Sequence, residues 1–314
     1  MTASLSALLP VVLLIAAGYL AGRLGWVTGR SVRDLSNLVF LLLAPALLFR
    51  AMSDVHLSQL RFTPVAAYFV AAGLVYGAAL LARGFHRESA VLALSGIFSN
   101  TTMIGIPLIG LAYGPEGMVT LLTLISLHSL TLLSSATVVL ELAAAREAGA
   151  TGQRRPLLPT LARAVRNAVL NPVVLPVPAG LLFSASGLVL PAPVDRSLAW
   201  LGQAFGPLAL LLVGITLSQT PVGRHLRGAL LPALAKNLLM PALVLAVAWA
   251  MGVRGLPLTV MVVTAALPMG ANVFIFAQRY EVAQDRVTAS VVLSTVLALL
   301  TVSGVMAALA VLVG

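Results

Sequence analysis

The sequence predicts an all-α polytopic membrane protein whose ten transmembrane helices form an inverted repeat of five plus five, with helices 4 and 9 broken. Three observations predict this fold class. Hydrophobic residues make up 60% of the 314 residues and charged residues only 9%, with a mean hydropathy of +1.05, whereas a soluble domain carries about 25% charged residues. Apolar segments of membrane-spanning length recur along the whole chain. The two halves also share a sequence pattern and an interrupted segment at matching places.

Each apolar segment has about 20 residues or more, which is enough to cross a hydrocarbon core of ~30 Å as a helix. The ten segments are residues 5–24, 31–52, 62–83, 90–113, 117–145, 161–186, 198–218, 227–251, 256–278 and 286–313. The first lacks the positive start and the cleavage pattern of a signal peptide, so we expect it to be retained. The absence of cysteine excludes disulfides and thiolate ligands. The sequence implies neither a metal nor a cofactor.

The net charge of +10 is distributed in a way that indicates membrane topology, and no nucleic-acid partner is expected. When the connections are assigned alternately to the two sides, 15 of the 19 basic residues fall on one side and 4 on the other. The positive-inside rule makes the basic side cytoplasmic. Both termini are therefore expected to be extracytoplasmic, in a cell inner membrane. The basic face would also attract anionic lipid.

The two halves are related in sequence. A Val-Arg-Asp stretch begins at Val32, 13 residues before Pro45, and a Val-Asp-Arg stretch begins at Val194, 13 residues before Pro207. Because each copy contains an odd number of helices, the second enters the membrane from the opposite side, which makes the repeat inverted. The predicted parts are a first five-helix repeat, a cytoplasmic linker and a second five-helix repeat: residues 1–145, 146–160 and 161–314.

Helix breakers interrupt the fourth and ninth segments. Residues 99–107 read Ser-Asn-Thr-Thr-Met-Ile-Gly-Ile-Pro, and residues 267–272 read Leu-Pro-Met-Gly-Ala-Asn. Backbone without helical partners is tolerated in a membrane only where it is buried in protein or lines a cavity. Matched breaks in two repeats indicate the midplane binding site of a transporter. The predicted substrate-binding residues are Asn100, Thr101, Thr102, Gly105, Pro107, Pro268, Gly270, Ala271, Asn272 and, midway along the fifth segment, His128.

The residues at these breaks predict an anionic substrate. All nine acidic residues fall at predicted helix ends or in connections, whereas a cation exchanger would be expected to hold a carboxylate within the membrane. The breaks instead carry amides, hydroxyls and helix N-termini, whose N–H groups and positive dipole end suit a carboxylate. A small organic carboxylate, driven outward by an inside-negative membrane potential, is therefore the expected substrate.

The same stretches resemble those of a known family. Residues 99–108 are similar to the Asn-Thr-x-x-x-Gly-Ile-Pro-Leu motif of the auxin efflux carrier family, and residues 266–280 resemble its ninth-helix pattern. The resemblance covers essentially the whole chain, and the short central loop resembles that of bacterial members. It implies the broader bile acid/sodium symporter-type fold, in which broken helices 4 and 9 cross near the midplane.

In that fold, helices 1, 2, 6 and 7 form a scaffold domain, and helices 3–5 and 8–10 form a transport domain. The resemblance implies alternating access by an elevator-type movement, and a homodimer through the scaffold domain is the protein partner that this plan allows. Two departures matter. The plant carriers have a proline where this chain has Val273, and an acidic residue in the third helix where this chain has Val-Ala-Ala at 65–67. The plant hormone is therefore not the expected substrate.

Several of these residues also have a purely structural interpretation. Asn100 and Asn272 could cap broken helix ends. His128 could be a buried imidazole bonded to a backbone carbonyl, with a proton-linked or substrate-facing role as the alternative. Lys236, the single lysine, is expected to snorkel from helix 8 to the lipid headgroups, with a role in an anion pathway as the alternative.

Other function classes are less compatible with the sequence. A membrane-embedded enzyme would need a nucleophile–base pair or metal ligands, and no His-Glu-x-x-His or Gly-x-Ser-x-Gly motif occurs. A channel would also place polar backbone at the midplane, but it does not need an inverted pair of mobile domains. A sodium- or proton-coupled organic-anion symporter stays open, because carbonyls and side-chain oxygens can bind a cation without a carboxylate.

Overall fold

The computed structural model of the chain describes residues 2–55, 60–149, 158–159, 162, 166, 175–219, 226–270 and 272–312. Most of the predicted linker 146–160 and part of the predicted sixth segment 161–186 lie outside the described residues. Ala271 of the predicted site also lies outside them.

The described residues are almost entirely α-helical. In chain order, helices α1 to α13 are Thr2–Arg23, Gly29–Leu38, Ala44–Ser53, Phe62–Arg83, Arg87–Ser95, Ile106–Gly149, Pro176–Ala185, Ala192–Gln219, Leu226–Leu234, Met240–Ala250, Gly255–Ala266, Asn272–Arg279 and Gln284–Leu312. In α6, two helical stretches meet at Gly114, whose φ of 60° is unfavourable for other residues. The part of the chain described contains no strand, and an isolated antiparallel bridge joins Ser99 to Met269.

Six helical stretches of the described residues are long and apolar enough to cross a membrane: Gly29–Ser53, Phe62–Arg83, Thr101–Ala144, Ala192–Gln219, Leu226–Ala250 and Gln284–Leu312. Shorter apolar helices are Leu9–Arg23, Pro176–Ala185 and Gly255–Ala266. The fold is therefore that of an all-helical, polytopic membrane protein. The count of ten stays a prediction, because segments 4 and 9 are broken and segment 6 is described only in part.

Within the described parts of the apolar segments there are three π-helical turns, and each ends two residues before a proline. The turns are Val39–Leu43, Thr101–Gly105 and Ala235–Leu239, followed by Pro45, Pro107 and Pro241. A proline has no N–H to donate, and its ring clashes with the carbonyl of the preceding turn. Widening that turn to the π form accommodates the ring without ending the helix.

The chain divides into two compact units. Unit 1 comprises Met1–Phe62, Thr101–Ser126 and Leu170–Pro221, and unit 2 comprises Thr63–Asn100, Leu127–Val169 and Val222–Gly314. The first part of α6 thus belongs to unit 1 and the rest to unit 2.

In unit 1, α1 packs along α8 with their backbones in direct contact. A Cβ atom added to Gly18 would overlap the carbonyl of Leu211, and one added to Gly214 would overlap the carbonyl of Ile15. Small residues permit this close approach, which is a common way for membrane helices to associate. An ion pair also joins α3 to α8 within this unit, with 2.6 Å between Arg50 Nε and an Asp195 carboxylate oxygen.

In unit 2, α9 and α11 pack against α13, and α10 packs against α11. The helix α11 has 12 residues and is enclosed, since every side chain from Val260 to Leu267 is buried. At the rate of ~1.5 Å per residue, a helix of this length cannot cross a bilayer alone. Its C-terminal end lies inside the protein.

Two ion pairs lie at helix ends in unit 2. Arg87 pairs with Glu147 through both its guanidinium and its backbone N–H, and Arg286 pairs with Glu88. Burial acts to raise the pKa of Glu147, but the hydrogen bonds and charge of Arg87 outweigh it and hold that pKa below its usual value. The charged form of Glu147 therefore stabilises the fold.

Candidate functional site at the two broken helices

Both predicted breaks are present as interruptions between helices. We call the non-helical stretch 96–100, between α5 and the π-helical turn Thr101–Gly105, the first break. We call the stretch 267–270, which follows α11, the second break. Each break leaves helix termini whose backbone groups need partners other than their own helix.

The two breaks satisfy each other's backbone. The Asn100 N–H donates to the carbonyl of Pro268 at 2.8 Å, and the Gly270 N–H donates to the carbonyl of Phe98 at 2.9 Å. These bonds flank the bridge between Ser99 and Met269. Buried amides require such partners. The pairing therefore explains how non-helical backbone is tolerated inside unit 2.

The close approach of the breaks requires glycine at position 270. A Cβ atom there would lie 2.8 Å from the Phe98 ring and 3.2 Å from the carbonyl oxygen of Ser99. The ring cannot easily move away, because Phe98 is buried and packs 4.7 Å from the imidazole of His128, measured between ring centroids. Gly270 of the predicted site thus permits the close packing of the two breaks.

The structure places Lys236 differently from the sequence-based prediction. It does not snorkel to the headgroups: its side chain is fully buried in unit 2. Its ammonium Nζ donates to the carbonyls of Ala265 at 2.5 Å and Leu267 at 2.7 Å. These carbonyls belong to the C-terminal end of α11, where the helix dipole favours a cation. The sequence could not reveal this end as a partner, because it lies 29 residues away along the chain.

A neutral network supports the other side of the second break. The Met269 N–H donates to Ser294 Oγ at 3.0 Å, and this hydroxyl donates to Asn237 Oδ1 at 2.6 Å. The amide of Asn237 donates in turn to the carbonyl of Ser294 at 3.0 Å and to Thr301 Oγ1 at 3.2 Å. Sequence reasoning missed Asn237 and Ser294. The available signal was polar side chains within apolar helices, which are costly in a membrane.

His128 is connected to the first break through two hydroxyls. Its Nε2 lies 3.4 Å from Tyr68 Oη, and that hydroxyl shares a 2.8 Å hydrogen bond with Ser99 Oγ. Its Nδ1 is buried and has no hydrogen-bond partner among the described residues. The prediction that the imidazole is bonded to a backbone carbonyl is therefore wrong for the described residues. Tyr68, near the start of α4, was missed by sequence reasoning.

The remaining predicted site residues divide between the units. Asn100 and Asn272 are half-buried, and Asn272 opens α12 in unit 2. In unit 1, Thr101 is buried, Thr102 half-buried, and Gly105 and Pro107 are buried. Within unit 2 the structure brings together Pro268, Gly270, the backbone of Asn100 and, through two hydroxyls, His128. A role of these residues in binding substrate stays a prediction.

The charge at the breaks in unit 2 is positive. The described residues of the two breaks carry no carboxylate, and the buried Lys236 forms no ion pair with a described carboxylate. Glu141 is the buried acidic residue of the described part, and it accepts a 2.9 Å hydrogen bond from Tyr280 Oη. No cluster of metal-binding side chains occurs in the described residues. This chemistry suits the binding of an anion.

Comparisons with known proteins agree with the observed fold. Residues 3–306 match the family model described as "Membrane transport protein". A "Putative malonate transporter" of Rhizobium meliloti (strain 1021) is 28% identical over 308 residues, which cover 95% of this chain and 93% of that protein. "Auxin efflux carrier component 1" of Arabidopsis thaliana is 30% identical over 112 residues, covering 35% of this chain and 18% of that protein. The chain belongs to the membrane transport protein family, to which auxin efflux carriers are related, and it is a transporter, not an enzyme.

Proposed function

We propose that this transporter is a secondary carrier that exports a small organic carboxylate anion. One observation carries the proposal: the two breaks of unit 2 are joined backbone to backbone beside a buried ammonium group, and their described side chains include the Asn100 amide and the Ser99 hydroxyl but no carboxylate. Such a site can bind a carboxylate through N–H donors and side-chain amides. The name of the relative from Rhizobium meliloti supports a dicarboxylate such as malonate as the first substrate to test.

The residues proposed to contact the substrate lie in the breaks or in the helical turns that follow them. The side chains of Asn100 and Asn272 would donate to a carboxylate oxygen, and Thr101 and Thr102 would add hydroxyl donors. Backbone N–H groups at Gly105 and Ala271 would complete the set, whereas the Gly270 N–H already donates to the Phe98 carbonyl. Pro268 keeps the second break non-helical, and Pro107 would shape the start of α6.

The proposed mechanism is alternating access by an elevator-type movement of a transport domain, helices 3–5 and 8–10, against a scaffold of helices 1, 2, 6 and 7. A membrane potential contributes ~2.3 kcal/mol per 100 mV for each net charge moved. Because the proposed cargo is an anion, an inside-negative potential drives it outward. Transport then needs no second ion.

The test is flux from liposomes that contain the purified protein and radiolabelled malonate. A potassium gradient with valinomycin sets an inside-negative potential, and matched potassium on both sides removes it. We expect faster efflux at the negative potential and no effect of replacing sodium with choline. Flux that ignores voltage but follows a sodium gradient would instead identify a symporter. Absence of flux for malonate and for other small carboxylates would refute the carboxylate assignment.

Proton coupling is the second candidate, and the hydrogen-bonded series His128–Tyr68–Ser99 favours it. A buried imidazole beside a hydroxyl can accept or release a proton when its surroundings change. If a pH gradient drives malonate flux, His128→Asn should abolish that response. A pH response that persists in His128→Asn would exclude the imidazole as the coupling group.

The orientation and assembly proposed here follow from the charge distribution and the family resemblance. We propose an inner-membrane carrier with both termini extracytoplasmic, the linker 146–160 cytoplasmic, and a homodimer through the scaffold domain. The chain contains no cysteine, so single cysteines can be introduced and labelled with an impermeant reagent. Labelling of a cysteine in the linker from outside intact cells would refute this orientation.

A further inference from the structure

The buried ammonium of Lys236 occupies a site of the kind that binds metal cations. Its two acceptors are backbone carbonyls at the end of the half-helix α11, one from its penultimate residue Ala265 and one from Leu267, the first residue beyond it. Carbonyl oxygens and the negative end of a helix dipole both stabilise positive charge. In transporters with interrupted helices, these same groups coordinate the coupling sodium ion or proton.

We propose that Lys236 is a tethered cation, which fills the carbonyl site of the second break in place of a dissociable coupling ion. The proposal rests on the proposed function, since it concerns the ion dependence of a carrier. A symporter acquires a positive charge at such a site by binding sodium. Here the positive charge belongs to a side chain of the π-helical turn Ala235–Leu239, which follows α9. This site would therefore require no alkali cation, and its charge would stay with the protein throughout transport.

The first break shows that a cation is not needed merely to satisfy such a carbonyl. There the hydroxyl of Tyr68 donates to the carbonyl of Ile97 at 3.4 Å. Ile97 lies two residues before the bridge residue Ser99, just as Leu267 lies two residues before Met269. A neutral hydroxyl serves at one position and an ammonium at the other. The charge of Lys236 is thus a specific property of the second break.

The surroundings of Lys236 also indicate a site for charge. Burying an ammonium group is unfavourable unless its environment compensates. None of the ion pairs in the described residues includes Lys236, and those of unit 2 join Arg87 to Glu147 and Arg286 to Glu88. The compensation visible in the structure comes from the two carbonyls. An oxygen site that accommodates an ammonium without a carboxylate can accommodate another monovalent cation once the side chain is removed.

The test uses thermal unfolding of the purified, substrate-free protein, so it does not depend on knowing the cargo. Lys236→Ala removes three carbons and the ammonium, which together correspond to n-propylammonium. The parent, Lys236→Ala and the matched control Tyr68→Phe are each compared in chloride salts of sodium, n-propylammonium and choline at equal ionic strength. Choline serves as a cation too large for the vacated site.

We expect sodium or n-propylammonium to stabilise Lys236→Ala saturably relative to choline. At a concentration about 100-fold above the dissociation constant, the melting temperature should rise by roughly 5 °C. The parent and Tyr68→Phe should respond equally to all three salts. A folded Lys236→Ala that is indifferent to both small cations would overturn the proposal. Saturable, sodium-specific stabilisation of the parent would also overturn it.

A second measurement covers the case in which Lys236→Ala does not fold. Lys236 is the only lysine of the chain, so labelled lysine produces a single side-chain NMR signal in the parent. We expect the shift of an ammonium group, unchanged when sodium replaces choline. A neutral amine, or a signal displaced by sodium, would contradict a tethered cation. Neither measurement involves transport, so a failed proposal here is distinguishable from a failure to carry carboxylates.

Discussion

The two breaks follow the same backbone plan but satisfy it with different chemistry. At the first break, the N–H groups of Ile97 and Phe98 both donate to the carbonyl of Leu94 and close the last turn of α5. A tyrosine hydroxyl serves the carbonyl of Ile97. At the second break, Leu267 caps α11 through the carbonyls of Val263 and Thr264, and a lysine ammonium binds two further carbonyls. Only the second break therefore holds a buried charge among the described residues.

This difference shows that one backbone pairing is compatible with two different sets of side chains. The bridge between Ser99 and Met269 depends only on backbone groups, so it does not constrain the side chains that surround it. The first break contacts hydroxyl groups and an imidazole, whereas the second break contacts an ammonium group and the amide network of Asn237. The backbone pairing is shared, and the electrostatics are not.

The largest expected effect comes from removing the charged partner. Lys236→Met keeps the apolar volume but leaves two buried carbonyls without their donor, at a cost of about 1–3 kcal/mol each. Tyr68→Phe removes a neutral hydroxyl and should cost about 1 kcal/mol. Thermal unfolding of both variants in choline chloride measures the two effects. Equal destabilisation would mean that the two breaks are energetically alike and that the charge of Lys236 does not distinguish them.

The next effect concerns the proposed substrate amides. Asn100→Ala and Asn272→Ala should each weaken malonate binding by about 1.5–3 kcal/mol, roughly 10- to 150-fold, because each removes a hydrogen bond to a charged ligand.

Isothermal titration calorimetry on the purified variants would show whether the two breaks contribute equally. Asn37→Ala, at an exposed position of α2, is the matched control and should bind like the parent. If both break variants fold and retain parental affinity, the asparagines are helix caps and the proposed contacts are wrong.

Alanine at a glycine of each break tests the close packing between them. Gly270→Ala would force a Cβ against the buried ring of Phe98, at an expected cost of about 1–3 kcal/mol. Gly96→Ala places its Cβ no closer than 3.4 Å to any neighbour and keeps an ordinary helical φ of −73°. It should change the free energy of unfolding by about 0.5 kcal/mol or less. A larger effect at Gly96 than at Gly270 would argue against the observed pairing.

The smallest expected change in the free energy of unfolding comes from an ion pair away from both breaks. It gives the contribution of a half-exposed charge in unit 2, with which the buried Lys236 can be compared. Glu147→Gln removes a half-exposed pair with Arg87, which typically contributes about 0.2–1 kcal/mol. Because Arg87 lowers the pKa of Glu147 in the folded state, the parent's advantage should be full near neutral pH. It should fade as the pH falls below the ordinary glutamate pKa. Unfolding curves of both proteins at several pH values measure it, and an advantage that grows in acid would contradict this origin.

The sequence by itself determined the features that depend on local composition. Apolar length indicated a polytopic helical membrane protein, and the combination of proline with glycine indicated the two segments in which helix hydrogen bonding fails. The breaks at 96–100 and 267–270 accordingly lie within the predicted segments 90–113 and 256–278. The first break overlaps the predicted stretch 99–107 only at residues 99–100, because the chain resumes a helical form at Thr101. The membrane transport family was also recognisable from those stretches, because breaker residues leave a pattern in consecutive positions.

Only the tertiary structure decided which groups meet across the chain. The bridge joins residues 170 positions apart, Ser99 and Met269, and no local pattern specifies that pairing. Lys236 illustrates the physical reason. A lysine near a helix end has two ways to satisfy its ammonium, the headgroups or a buried set of carbonyls, and the local sequence is compatible with both. The choice depends on where the end of α11 lies in space, and folding alone places it within reach.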